Sequence, residues 1–207
     1  MTNNIELHNI LFLRSNYYKL RIEVDYKKLD EQIKNNKKYL VKYNPRKNIE
    51  RYGLPITSLD GNISGIPDLD SLPEYNKLND TRYTELDFKT PTKFYDLFNI
   101  KSIMEPFVPW IYRSHVLLLK PGGYFPPHID GNPFTTDVFR IIIPIFNSNY
   151  PKCMFLLQDK LLQFEYGSIY VLNTAKEHTI FSMDENINIV FNIKLCSDSV
   201  KKVFELI

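Results

Sequence analysis

The chain has 207 residues, 43% of them hydrophobic and 24% charged, with a formal net charge of +2. That length suits one domain, with a core large enough to need neither disulfides nor a structural metal. The balanced charge argues against a nucleic-acid partner, which needs a concentrated basic face, and no apolar run approaches a membrane span.

The opening stretch, MTNNIELHNILFLRSNYYKL, lacks a basic start, a sustained apolar run and a small-residue cleavage site, so no signal peptide is expected. Residues 17–24 alternate and are β-prone, which predicts a strand. Asp25 can cap a helix reaching about Lys38, with Leu29 and Ile33 on one face. The basic cluster 37–51, interleaved with Tyr39 and Tyr43, reads as a solvated helix end and loop. Residues 43–88 are rich in Pro, Asn, Asp and Gly and are expected to be irregular, either functional or wrapped over the surface. A helix is expected over 91–107, with Thr90 as its cap.

From Trp110 short β-rich runs alternate with turns: 111–119, 138–146, 153–157, 161–164, 168–172, 179–182 and 187–195. Many short strands at near-regular spacing predict a mainly β protein with flanking helices, of the jelly-roll or cupin-like kind. The expected organisation is a single unit over 1–207: 1–109 packs on the barrel, and 110–196 forms the jelly-roll core. The two cysteines, Cys153 and Cys196, have no metal-type spacing and are expected to be buried free thiols in a reducing, cytoplasmic compartment.

Of the four histidines, His8 and His115 have no distinctive setting and read as surface or core residues. His128 and Asp130 stand two apart, and on a strand such residues point to the same side. His178 lies downstream beside a predicted strand, where a jelly roll that folds back on itself can bring it to the same point. Two imidazoles and a carboxylate on one face, with other positions open, suit a non-haem Fe(II) centre that binds a co-substrate and O2. An HxD pair alone is a frequent chance pattern, and a histidine hydrogen-bonded in a turn is its ordinary reading. The context here is fuller: a Pro-Gly-Gly turn precedes the pair, a strand carrying Arg140 follows it, and a Gly-led strand leads into His178.

The pieces LLLKPGGYFPPHIDG, FRIIIPIFN, FEYGSIYVLNTAKEHTIFS and NINIVFNI together resemble the 2-oxoglutarate/Fe(II) dioxygenases, in particular the aspartyl/asparaginyl β-hydroxylase-like group that includes proline hydroxylases. The resemblance runs from about Arg113 to Lys194 and implies a double-stranded β-helix. It implies the decarboxylation of 2-oxoglutarate to succinate coupled to hydroxylation of a C–H bond in an amino acid, peptide or protein side chain. His128 and His178 fall on the family's metal histidines, and Asp130 falls on the carboxylate, a position where some members carry Gly. Arg140 falls on an arginine that helps to hold 2-oxoglutarate, a task suited to a planar guanidinium fork.

The chain departs from the family at one place. An arginine usually opens the last core strand as partner for a 2-oxoglutarate carboxylate, and Asn186 stands there instead. Lys194, Arg113 and Lys120 are the cations that can compensate, while Arg51, Arg113 and Lys120 are candidates for substrate binding. The missing arginine keeps two other readings open: a cupin-like metal enzyme that does not use 2-oxoglutarate, and a non-catalytic binding module of the same fold.

Overall fold

The computed structural model describes residues 3–130 and 137–207. The Gly131 that closes the HxDG motif lies outside the described residues. Helix α1 (Asn4–Leu11), not anticipated from the sequence, begins with a capping box: Asn3 Oδ1 accepts from the Ile5 and Glu6 amides, and the Glu6 carboxylate accepts from the Asn3 amide. Strand β1 (Tyr17–Glu23) and helix α2 (Tyr26–Asn35) follow, close to expectation, and Asp25 caps α2 by accepting from Lys28 N at 3.1 Å. Leu29 and Ile33, one turn apart, are the buried residues of α2.

The next stretch is less irregular than expected. After β2 (Val41–Lys42), residues 43–88 hold β3 (Arg51–Pro55), β4 (Thr57–Ser58) and α3 (Leu72–Asn79). Its Arg51-Tyr-Gly-Leu-Pro55 run hides a strand, because Gly and Pro both weaken a strand pattern. Here the glycine is needed: a Cβ on Gly53 would meet Leu69 Cδ1 and Val116 O, each at 2.9 Å.

The expected helix 91–107 is broken into β5 (Thr90–Pro91), α4 (Lys93–Leu97), α5 (Ile100–Ile103) and a 3-10 turn at Glu105–Trp110. Thr92 rather than Thr90 caps α4, accepting from Phe94 N at 3.2 Å. Asn99 at φ 52° interrupts the run, in a left-handed conformation that asparagine tolerates.

The remaining strands are β6 (His115–Leu119), β7 (Tyr124–His128), β8 (Val138–Phe146), β9 (Cys153–Leu157), β10 (Lys160–Leu161), β11 (Ser168–Leu172), β12 (His178–Ser182) and β13 (Asn186–Lys194), and helix α6 (Ser197–Leu206) ends the chain. They form a seven-stranded sheet, β1-β11-β8-β13-β6-β3-β2, facing a four-stranded sheet, β10-β9-β12-β7. Among the described residues every strand pairing in both sheets is antiparallel. This is a double-stranded β-helix, the mainly β fold with flanking helices that the sequence predicts.

Alternation along the central strands explains where the core lies. Ile187, Ile189, Phe191 and Ile193 of β13 join Val116, Leu118, Ile141 and Ile143 on the outer face of the large sheet. The helices close that face with Leu29, Ile33, Phe94, Phe98 and Phe107. Full burial of such a side chain contributes roughly 1.5–3 kcal/mol. The other face looks into the β-helix and holds a second cluster that includes Leu117, Ile142, Phe155, Leu172 and Ile180. Asn188 and Asn192, of the same parity on β13, are buried on this inner face. Both cysteines are free; Cys153 is buried, its thiol pushed up to about 12 by burial, whereas Cys196 is only half-buried.

Candidate metal centre

The Lys120-Pro-Gly-Gly123 turn delivers β7 to the edge of the small sheet. Gly122 takes φ +79°, and a Cβ on Gly123 would lie 2.3 Å from Glu50 O, so the turn packs directly on the backbone leading into β3. β7 then runs antiparallel to β12 and sets His128 directly opposite His178. Asp130 follows β7, and its amide donates to Thr174 O at 2.8 Å, which pins the carboxylate beside the two imidazoles.

His128 Nε2 lies 3.5 Å from Asp130 Oδ1, and His178 Nε2 lies 3.4 Å from Asp130 Oδ2. The two rings are 4.2 Å apart, centroid to centroid. All three side chains offer ligand atoms within 4.8 Å of one another. A first-row ion bound at about 2.0–2.2 Å needs ligand atoms roughly 3–3.5 Å apart, so the spacing fits a metal. The tautomers fit as well. His128 Nδ1 lies 2.7 Å from Pro126 O, and His178 Nδ1 lies 3.0 Å from Lys176 O. A carbonyl can only accept, so each Nδ1 carries the proton and each Nε2 turns its lone pair to the centre.

Arg140, on β8, brings a positive charge to this cluster. Its Nη1 lies 2.8 Å from Asp130 Oδ2, a charge-to-charge contact outside hydrogen-bonding direction. Its Nε donates to Asn192 Oδ1 at 3.1 Å, and Asn192 Nδ2 donates to Glu85 Oε2 at 2.6 Å. Burial opposes the charge of Asp130, but Arg140, joined by the two imidazoles when they also carry a proton on Nε2, outweighs it and holds the carboxyl well below the usual range. Burial likewise opposes protonation of His128, and the Asp130 carboxylate reverses the balance and raises its pKa.

Two connected spaces meet at the cluster. An inner cavity of about 90 Å³ runs between the sheets and is lined by His128, Asp130, Arg140 and His178 together with Tyr43, His115 and Asn188. An outer cleft of about 880 Å³ shares Tyr43, His128, Asp130 and Arg140 with it and reaches Arg51, Glu74, Glu85 and Arg113.

The structure thus brings Arg140 to the triad and places Arg51 and Arg113 in the outer cleft. It does not bring Asn186, Lys194 or Lys120 to either space. Asn186 is fully buried, and its amide donates to Phe146 O, Asn147 O and Ser148 Oγ, so it ties a strand corner together. Lys194 is exposed at the end of β13. Lys120 is also exposed, its ammonium 4.5 Å above the Tyr52 ring. Arg113 is occupied: it donates to Glu85 Oε1 at 2.9 Å, to Asp68 O at 2.8 Å and to Asp70 O, and so holds the loop before α3.

Sequence reasoning missed Tyr43, His115 and Asn188. Asn188 is the polar residue that β13 contributes to the inner cavity, and it donates to Asn186 Oδ1 at 2.8 Å. The alternation of asparagine with apolar residues along β13 was the available signal. His115 is buried, with no partner for its Nδ1 among the described residues, and burial first, then the charges of Arg113 and Arg140, push its pKa well down. Nothing in the flanking sequence distinguished it.

No family model and no characterised protein sequence matches this chain. Solved structures do match in fold. A prolyl-4-hydroxylase from Pseudomonas putida is 11% identical, with 94% of this chain and 100% of that chain covered at a TM-score of 0.50. A prolyl hydroxylase from Trichoplax adhaerens, in complex with a hypoxia inducible factor oxygen degradation domain peptide fragment, is 9% identical, covering 94% and 92% at 0.51. The viral collagen prolyl hydroxylase from Paramecium Bursaria Chlorella virus-1, as its 2OG complex, is 14% identical, covering 88% and 98% at 0.50. The class defined is therefore a double-stranded β-helix like that of the 2-oxoglutarate–Fe(II) oxygenases, with a His, Asp, His group able to hold a metal.

Proposed function

We propose that this chain is an Fe(II)- and 2-oxoglutarate-dependent hydroxylase of the Asp/Asn/Pro hydroxylase kind, acting on a side chain in a peptide or protein. The observation that carries the reading is the triad itself. Two imidazoles with their Nε2 lone pairs preset and one carboxylate converge at the mouth of a β-helix. Fe(II) held there would let O2 act as the oxidant and 2-oxoglutarate as the two-electron co-reductant, with succinate and CO2 as products; one oxygen atom of O2 would enter succinate and the other the substrate C–H bond.

The protein's own groups have separable tasks in this reading. His128, Asp130 and His178 hold the ion and leave its remaining positions open. Arg140 neutralises Asp130 and presents a guanidinium beside the ion for a carboxylate of the co-substrate. Asn192 fixes Arg140 through Nε and is itself held by Glu85. The inner cavity, walled by Leu117, Ile142, Phe155 and Val190, keeps water from the reacting atoms. The outer cleft is far larger than a free amino acid requires, which favours a chain segment as substrate. A peptide complex of one fold relative is consistent with that choice. We also propose a single unit over 1–207, with β1, β2 and β3 extending the large sheet, and a cytoplasmic location.

A cupin-like metal enzyme without 2-oxoglutarate is the second reading, favoured by the uncharged Asn188 in the inner cavity. The test is succinate formation and O2 uptake by the Fe(II)-loaded protein given 2-oxoglutarate, with His178→Ala as control. Succinate from the wild type and none from the variant supports the hydroxylase. Metal uptake with no succinate and no consumption of 2-oxoglutarate supports the second reading.

A further inference from the structure

Among the described residues, one charge of the outer cleft is left unanswered. Arg51 on β3 is only 4% exposed, and its Nε has no hydrogen-bond partner. Every other cation on or beside the cleft wall is matched. Arg46 pairs with Asp70 at 2.5 Å and with Glu74 at 3.1 Å, and Lys47 pairs with Glu74 at 3.4 Å. Arg113 pairs with Glu85 at 2.9 Å, and Arg140 with Asp130 at 2.8 Å. Among the described residues no carboxylate pairs with Arg51, and the residues outside that set, Met1, Thr2 and 131–136, carry no acidic side chain.

What surrounds Arg51 is aromatic. Its guanidinium carbon lies 4.3 Å from the Phe125 ring centre and 5.8 Å from that of Tyr43. These rings hold the guanidinium plane in place but satisfy none of its N–H groups as an acceptor oxygen does. Phe125 also stacks on His128 at 5.9 Å, so a single ring separates Arg51 from the triad. A buried charge without a partner is costly, and burial accordingly lowers the pKa of Arg51. A ligand that brings the missing acceptor relieves that cost.

We propose that Arg51, framed by Tyr43 and Phe125, is the carboxylate-recognition residue of the outer cleft. The fork of a guanidinium matches a carboxylate through two parallel hydrogen bonds. A single positive charge suits a singly charged group, and the acidic side chains of Asp70, Glu74, Glu85 and Asp137 on the same cleft repel a phosphate dianion. The carboxylate comes from the substrate or is the distal one of 2-oxoglutarate; only that identity rests on the hydroxylase reading.

Calorimetric titrations of the Mn(II)-loaded wild type, Arg51→Gln and Arg51→Lys distinguish the two sources. In the first arm 2-oxoglutarate is compared with 2-oxovalerate, which lacks the distal carboxylate. In the second, protein saturated with 2-oxoglutarate is titrated with glutarate and with its diamide. If the co-substrate is the source, Arg51→Gln abolishes a preference for 2-oxoglutarate of about tenfold or more and Arg51→Lys retains part of it. If the substrate is the source, 2-oxoglutarate affinity stays unchanged and glutarate binding falls by a similar factor. Unchanged affinities in both arms, or a wild type that binds no carboxylate in either, overturn the proposal. Metal content measured on the same samples reports separately on the triad, and glutarate titration of metal-free protein tests Arg51 even if the hydroxylase reading fails. Arg51→Met, which removes an unpaired buried charge, is expected to keep or raise Tm, whereas a purely structural arginine would lower it.

Discussion

Arg140 Nη1 sits 2.8 Å from Asp130 Oδ2, so the carboxylate at the centre of the triad carries its own counter-charge. The same arginine is clamped by Asn192, which is held in turn by Glu85, itself paired with Arg113. Sheet, loop and candidate metal centre are thereby joined through five side chains. The arginine lies too close to the triad to be a remote anchor; in the proposed reading it acts on the Asp130 carboxylate and on the co-substrate beside it.

Replacing Arg140 with Met is therefore expected to weaken 2-oxoglutarate more than metal. Loss of a charge-assisted hydrogen bond amounts to roughly 1.5–3 kcal/mol, about tenfold or more in affinity. Separate titrations of metal and co-substrate check this. Equal losses in both would assign Arg140 to the metal site alone.

His128→Ala and His178→Ala each remove a proposed ligand whose lone pair is preset by a backbone carbonyl. Disturbing even the groups that orient a ligand costs about 10–100-fold in metal affinity, so loss of a ligand itself is expected to exceed that. Metal content after dialysis against a weak chelator measures it, and normal stoichiometry in either variant refutes the ligand assignment.

Gly123→Ala is expected to lower stability by about 1–3 kcal/mol, since the new Cβ would stand 2.3 Å from Glu50 O and push β7 away from the chain entering β3. Denaturant unfolding gives the number. A wild-type midpoint would show that the turn can relax without moving the strand.

Asp68 gives stability a pH dependence independent of the triad. Burial pushes its carboxyl up to about 6, against a hydrogen bond from Leu59 N at 3.1 Å and the nearby charge of Arg113. An unfolded carboxyl of this type titrates near 3.9. Between those values the folded chain binds more protons, so stability falls as pH rises through the window, by at most about 3 kcal/mol. Asp68→Asn keeps an acceptor for Leu59 N and removes the charge. It is expected to raise Tm at about pH 7.5 and to leave it unchanged below about pH 4. A variant less stable than wild type at the higher pH contradicts this.

The core strands were legible because alternation and burial coincide in β8, β11 and β13. The triad was legible because two of its residues share one short motif and the third begins a β-rich run. β3 was not legible, since its Gly and Pro hide a strand whose glycine answers a contact with Leu69 and Val116, far off in sequence. α1 carries only two buried residues, too few to announce a helix. Asn186 drew attention as the first residue of its strand, but its amide is spent on Phe146, Asn147 and Ser148. Which inward-facing asparagine reaches the cavity depends on the depth of the site along the barrel, and one strand's sequence does not contain that depth.

The most direct test of the hydroxylase reading is anaerobic titration of the Fe(II)-loaded protein with 2-oxoglutarate, watched in the visible range for the charge-transfer band of a chelated 2-oxo acid. The expected result is a band that saturates at one equivalent per chain and is absent from His178→Ala. Iron binding at the triad without any such band would contradict it.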